Sequence, residues 1–295
     1  PEPPAAGGAM LPPDTLDGQV AIVTGGGTGL GKAIAVELGR VGAAVAIVSR
    51  DERHRGAGVE AVVAAGGTAI GAALDVRDAD AVTGAFDEVE AALGPVTILV
   101  NNAAGNFPAR AEAMSARAWR AVTQIVLDGT FFCSAELARR RIDDGTAAVI
   151  CNIAATYAWT GGPGTAHSAA AKAGVVNLTQ SLAVEWAPHG IRVNALAPGL
   201  FLHDDVAAAM RSGRSQEEAA ATVPAGRTFH IRKNLQGNGV NIWVQRGARL
   251  LLRRQSPLVV RLCPSQHIDE HTGVQTEVQS SKFTGFEGNR SSRGG

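Results

Sequence analysis

A doubly wound α/β fold, one parallel sheet between helices in three αβα layers, is what this 295-residue sequence predicts. Three observations carry the expectation. Short apolar runs rich in Val, Ile and Ala alternate with longer stretches of helical period between residues 18 and 196. The runs are apolar at nearly every position, as in strands covered on both faces. The first run passes into the first helical stretch through a turn holding five glycines, residues 25–31.

Six strands are expected, at 20–24, 44–48, 69–74, 97–100, 147–153 and 191–196, with helices at 31–41, 79–92, 116–140 and 168–187. That alternation is the pattern of an α/β sheet with helices on its faces. Ligands of such sheets bind outside the carboxyl ends of the strands, so the loops that follow each strand are where chemistry is expected.

Composition narrows the function classes. Lys+Arg 27 against Asp+Glu 27 leaves no global field to draw the chain onto nucleic acid or a membrane surface, so neither is expected as a partner. No apolar run approaches the roughly 20 residues of a membrane span, and no charged-then-apolar opening reads as a signal peptide. Cys133, Cys151 and Cys263 lie far apart without Cys-x-x-Cys spacing. They read as small apolar groups in a reducing, cytoplasmic setting, and no metal is expected.

The turn after the first strand reads Thr24-Gly25-Gly26-Gly27-Thr28-Gly29-Leu30-Gly31. Glycine admits positive φ and lets a pyrophosphate approach the backbone. The helix that follows offers free N–H groups and a positive dipole end. Many turns are glycine-rich, but one that follows a strand and opens a helix points to a dinucleotide. At the end of the second strand, where an acid would bind a ribose 2′-hydroxyl, stand Ser49 and Arg50. A hydroxyl and a guanidinium suit a 2′-phosphate, hence NADP(H); a solvated surface charge followed by Asp51 is the plainer reading of Arg50.

Asp75-Val76 after the third strand, Asn101-Asn102-Ala103-Ala104-Gly105 after the fourth, Pro198-Gly199 after the sixth, and the Gly25-x-x-x-Gly29-x-Gly31 spacing together resemble the short-chain dehydrogenase/reductase family over about residues 17–227. The resemblance implies a Rossmann-type fold. It adds Asp75, Val76, Asn102, Ala103, Lys172, Pro198 and Gly199 to the cofactor-binding set of residues 25–31, Ser49 and Arg50. The family's usual Tyr-x-x-x-Lys is broken here. Lys172 is present, Ser168 stands four residues before it, and Ala155 takes the place of the usual serine.

Those departures are similar to the mitochondrial-type 2,4-dienoyl-CoA reductases, as are Asn101–Phe107, the opening Ala9-Met10-Leu11-Pro12-Pro13 and Ile125-Val126-Leu127-Asp128-Gly129-Thr130. In that subfamily the tyrosine lies earlier, and Tyr157, the chain's only tyrosine, falls at the displaced position. The implied chemistry is NADPH-dependent reduction of a 2,4-dienoyl-CoA to a 3-enoyl-CoA in β-oxidation of unsaturated fatty acids. Tyr157 and Asn106 would donate to the thioester oxygen as charge collects there, while Ser168 and Lys172 orient the nicotinamide and its ribose. Arg77, Phe107 and Ser115 fall where the subfamily touches its acyl-CoA, although Arg77 equally fits a surface charge. Asp128 replaces an asparagine usual in the wider family. Another short-chain reductase, acting for example on 3-oxoacyl thioesters, and an inactive nucleotide-binding remnant are the competing readings.

The chain changes character after Arg227. Residues 1–227 hold 52 alanines and residues 228–295 one, Ala248. The first part carries 17 Lys/Arg against 23 Asp/Glu, the second 10 against 4. A Pro/Gly/Ala-rich arm at 1–16, a reductase domain at 17–227 and a basic, non-family tail at 228–295 are therefore expected. A polar tail after a complete domain is one reading of that last segment. A segment not selected with the rest, as after a frameshift or fusion, is the favoured one. The family resemblance implies a homo-oligomer, a tetramer, and such a tail argues against it.

Overall fold

The computed structural model describes residues 11–199, together with the backbone of 201–202 and 229–230. Six parallel strands form one sheet in the order β3-β2-β1-β4-β5-β6. They are β1 (Val20–Thr24), β2 (Ala44–Ser49), β3 (Thr68–Ala73), β4 (Val96–Asn101), β5 (Ala148–Ile153) and β6 (Ile191–Leu196). The order reverses between β1 and β4, which opens a crevice above their carboxyl ends. Phe201–Leu202 (β7) pairs in parallel with Phe229–His230 (β8) as a separate two-stranded ladder. The N-terminal arm up to residue 10 and, β8 apart, the tail from 228 onward lie outside the described residues.

Alternation along β1 and β2 divides the core between the two faces. Val20, Ile22, Ala46 and Val48 join a cluster with Phe86, Val89, Leu99, Leu137 and Trp186. Ala21, Val23, Val45 and Ile47 join another with Ala35 and Val62. Every residue of β1 is buried, as the unbroken apolar run requires. β3, an edge strand, buries only Ala72.

The helices are α1 (Gly29–Arg40), α2 (Glu52–Ala64), α3 (Ala79–Leu93), α4 (Ala116–Thr123), α5 (Gly129–Asp144), α6 (Tyr157–Thr160) and α7 (Ala166–Trp186). Three differ from the sequence expectation, the four-residue α6 being one that was not anticipated. α2 was absent from the expectation because the helix buries only Gly58 and Val62 and so shows little apolar stripe. It is started by Asp51, whose carboxylate accepts from the backbone N–H of Arg53 and His54 at 2.9 and 3.3 Å. The helix expected at 116–140 is instead interrupted by a π turn over Gln124–Asp128. A Cβ on Gly129, just past that turn, would stand 2.6 Å from Val76 Cγ2. The missing side chain lets the loop after β3 press onto the helix where its winding changes.

Candidate active site

A cleft of about 620 Å³ runs across the carboxyl ends of the central strands. One end is formed by the glycine turn. Gly25 has φ +64° and its N–H donates to the Val48 carbonyl at 2.8 Å, tying the turn to β2. Thr24 Oγ1 accepts from the N–H groups of Asn102 and Ala103, each at 2.9 Å. Asn102 Nδ2 donates in return to the carbonyls of Thr24 and Gly25 at 3.0 and 3.2 Å. Turn and post-β4 loop are thus locked together by four hydrogen bonds.

Two glycines are required by close approach. A Cβ on Gly31 would lie 2.3 Å from Asn102 Nδ2 and 2.4 Å from the Gly25 carbonyl oxygen, and one on Gly27 would lie 2.0 Å from the His54 carbonyl oxygen. Gly26 faces inward against Val23 and Ile47 and does not line the cleft. Thr28 precedes α1 without a capping side-chain bond, and the first turn carries no acid, so its N–H groups stay available. A cradle of bare backbone at an uncapped helix start fits a dinucleotide's pyrophosphate. Ser49, Arg50, Asp75, Val76, Asn102, Ala103, Pro198 and Gly199 line the same cleft, as do Thr28, Gly29, Leu30 and Lys172.

Asp75 is held by Arg77, whose Nε lies 2.9 and 3.1 Å from its two carboxylate oxygens and whose Nη2 lies 2.5 Å from one. Those bonds keep the Asp75 carboxyl below its usual range. Arg77, assigned to the acyl-CoA by resemblance, is thereby engaged elsewhere and is not part of the cleft wall. Ser115 likewise has a structural partner: it caps α4, accepting from the Ala118 N–H at 3.1 Å.

The other end of the cleft is built by α6 and α7. Ser168 and Lys172, one turn apart on α7, are 1% and 6% exposed. The Tyr157 hydroxyl, at the start of α6, lies 3.0 Å from Ser168 Oγ. Lys172 Nζ donates to the Ile153 carbonyl at the end of β5. Burial pushes its ammonium down from 10.5 to about 8. Beneath, Asn101 Nδ2 donates to Ser134 Oγ and Asn152 Oδ1, and Asn152 Nδ2 to Thr179 Oγ1, all at 2.9 Å. This buried ladder joins β4 and β5 to α5 and α7, fixing the height at which Lys172 enters.

Asn106 and Phe107 stand exposed on the loop after β4, beyond the cleft wall. The Phe107 ring meets His167 edge-on, centroids 4.7 Å apart at 76°. Ala109 N–H donates to the Gly164 carbonyl at 3.1 Å. His167 is fully buried, and neither ring nitrogen has a partner among the described residues. Sequence reasoning missed His167 and also His54, which lines the cleft beside Ser49 and Arg50. The His54 signal was its place three residues past the Asp51 cap; nothing local marked His167. Among the described residues no cluster of three potential metal ligands occurs, and no helix is long and apolar enough to cross a membrane.

A parallel sheet with a glycine cradle at one end of its crevice and a lysine–serine–tyrosine group at the other defines an oxidoreductase that uses a nicotinamide cofactor. The family model for the short chain dehydrogenase matches residues 19–215, and the chain belongs to that family. It is 41% identical over 214 residues to a Bacillus subtilis protein named probable 2,4-dienoyl-CoA reductase [(2E)-enoyl-CoA-producing], covering 72% of this chain and 84% of that one. It is 43% identical over 188 residues to the peroxisomal 2,4-dienoyl-CoA reductase [(3E)-enoyl-CoA-producing] of Rattus norvegicus, covering 63% and 64%. Among solved structures, a gluconate 5-dehydrogenase from Burkholderia cenocepacia in complex with NADP and tartrate superposes with a TM-score of 0.68, at 33% identity over 74% of this chain and 85% of that one.

Proposed function

We propose that the domain at 17–227 is an NADPH-dependent 2,4-dienoyl-CoA reductase that forms a 3-enoyl-CoA. The observation that carries this reading is the Tyr157 hydroxyl, 3.0 Å from Ser168 Oγ, on the same cleft as Lys172 and the glycine cradle. NADPH, when bound, supplies the hydride. Residues 25–31 without Gly26 would hold its pyrophosphate, and Ser49 and Arg50 its 2′-phosphate.

The chain's own groups divide the rest of the work. Negative charge moves to the thioester oxygen when a conjugated dienoyl thioester takes hydride at the far end of the diene. The Tyr157 hydroxyl, joined by the Asn106 amide as the post-β4 loop meets substrate, stabilises that oxygen with little reorganisation. Ser168 accepts or donates at the tyrosine hydroxyl and fixes its direction. Lys172, anchored on the Ile153 carbonyl and lining the same cleft, would give its remaining protons to the nicotinamide ribose. Phe107 at the mouth is the acyl-CoA contact. Arg77 and Ser115 have other partners, which weighs against that role for them.

Water supplies the proton that the dienolate takes at its α carbon to give the 3-enoyl-CoA; the name of the Bacillus subtilis relative raises a second product, the 2-enoyl-CoA, reached when that proton is taken at the γ carbon instead. Incubating the full chain with NADPH and a 2,4-dienoyl-CoA or a 3-oxoacyl-CoA, with mass and NMR analysis of the product, tests the proposal. Consumption of the dienoyl-CoA with a 3-ene product is expected. Turnover of the 3-oxoacyl-CoA alone, or of neither, overturns the reading, and a 2-ene product overturns its regiochemistry.

A further inference from the structure

Two neighbouring residues at the start of α7 each hold a different part of the substrate end. Ser168 Oγ lies 3.0 Å from the Tyr157 hydroxyl. His167, the residue before it, meets the Phe107 ring edge-on, and Phe107 follows Asn106 directly on the post-β4 loop. A second clamp lies two residues further along that loop, where the Ala109 N–H donates to the Gly164 carbonyl at 3.1 Å. Gly164 turns there with φ +71°, just ahead of α7.

His167 is the one polar side chain among the largest fully buried ones of the described residues. Neither of its ring nitrogens has a partner among them. A hydrocarbon side chain of that size would fill the space without stranding two polar atoms, so packing alone does not account for the imidazole. Phe107, on the loop side of the contact, is 39% exposed. A half-exposed loop aromatic seated on a buried ring gives the loop a fixed rest, because aromatic pairs at this spacing and angle attract beyond the area they bury.

We propose that His167 is a positioning residue: it seats Phe107 and thereby sets where the post-β4 loop presents the Asn106 amide. The proposal rests on the 2,4-dienoyl-CoA reductase reading above. Adjacent residues then place the two donors of the thioester oxygen, Ser168 by aiming the Tyr157 hydroxyl and His167 by holding the loop that carries Asn106. A shift of about 1 Å in such a group is enough to cost on the order of a hundredfold in rate.

His167→Leu fills the space and removes the ring. Steady-state kinetics with a 2,4-dienoyl-CoA, fluorescence titration with NADPH and thermal melts of the full chain test it. The kcat should fall by about tenfold to a hundredfold. NADPH affinity should hold, and Tm should hold or rise because two stranded polar atoms are gone. His167→Phe keeps a ring beneath Phe107 and should recover most of the turnover. The double variant His167→Leu/Phe107→Ala should lose no more than the worse of its two single variants, since both act through one contact. A parent-like kcat in His167→Leu, or losses that simply add in the double variant, overturns the proposal and leaves the reductase reading standing. A loss of kcat matched by a lowered Tm, or one that His167→Phe does not recover, overturns it as well. No turnover of the dienoyl-CoA by the parent protein overturns the reductase reading and the proposal with it.

Discussion

The two ends of the cleft are built by different means. At the dinucleotide end, bare glycine backbone meets its neighbours: Gly31 lies under the Asn102 amide and the Gly25 carbonyl, Gly27 lies under the His54 carbonyl, and the Thr24 and Asn102 side chains stitch two loops together. At the substrate end, side chain meets side chain: Tyr157 on Ser168, Phe107 on His167. The first arrangement admits no added atom and is indifferent to protonation. The second tolerates changes of shape but depends on which hydroxyls and amines are present. Size should therefore break one end, and chemistry the other.

The largest effect is expected from Gly31→Val. The new Cβ alone would sit 2.3 Å from Asn102 Nδ2 and 2.4 Å from the Gly25 carbonyl oxygen, both belonging to a hydrogen-bonded pair of loops that cannot retreat together. NADPH binding should be lost beyond detection by fluorescence titration, with a lowered Tm. The same substitution at Gly66, where φ is +88° but a Cβ meets nothing within 4 Å, should cost stability and leave NADPH affinity intact. Equal NADPH affinity for the parent and Gly31→Val would remove the close-approach argument.

Tyr157→Phe comes next. On the proposed mechanism it removes one donor to the developing oxyanion and should lower kcat by about 10²–10³. NADPH affinity should hold, because the glycine cradle is untouched. Ser168→Ala, which loses only the group that aims the hydroxyl, should cost less than Tyr157→Phe. Unchanged turnover in Tyr157→Phe would take the tyrosine out of the chemistry.

The same contrast explains what the sequence disclosed. β1 was legible to the residue because its apolar run is unbroken up to the glycine turn, and β6 because Ile191 and Val193 alternate with Arg192 and Asn194. Residues 25–31 were legible from their glycine spacing between strand and helix, although what excludes side chains at Gly27 and Gly31 is His54 and Asn102, distant in sequence. Tyr157 became legible only through its distance from Lys172 in a family pattern. Its pairing with Ser168 joins α6 to α7 across the Gly161 and Gly164 turns, which no period announces. The π turn at Gln124–Asp128 was hidden for a related reason. Just past it, Gly129 packs without a side chain against Val76, some fifty residues away, a contact that no local period announces. Arg77 and Ser115 were placed by resemblance alone, and in the fold their polar atoms answer to Asp75 and Ala118.

Lys172 joins the two ends and offers a measurement with a definite sign. Its value in the fold, about 8, lies below the ordinary 10.5. Between those limits the unfolded chain keeps a proton that the folded one has released, so this group's contribution to stability rises with pH there, by at most about 1.4 kcal/mol per unit. Cys133 and Cys151 act in the opposite direction, since burial raises both thiols above their ordinary 9.0. The clean window is therefore pH 8 to 9. Urea melts of the cofactor-free protein should show Lys172→Met with a flatter, less rising profile there than the parent. Parallel profiles would mean that Lys172 is not desolvated in the fold.

The smallest expected effect separates scaffold from contact at the substrate end. Ser115 Oγ accepts from the Ala118 N–H at 3.1 Å and so satisfies one of the open donors at the start of α4. Ser115→Ala removes that cap and should cost about 1 kcal/mol, a Tm loss of roughly 2–4 °C in a domain of this size. Ser115→Asp keeps an acceptor and adds a charge that the helix dipole favours, so it should regain the lost stability. If Ser115 serves only as a cap, KM for the acyl-CoA stays level in Ser115→Ala, and the two variants differ in Tm alone. A KM raised severalfold in Ser115→Ala with an unchanged Tm would return the hydroxyl to the substrate. The substrate end would then hold one more side chain chosen for its chemistry, and the contrast with the glycine-built end would be sharper for it.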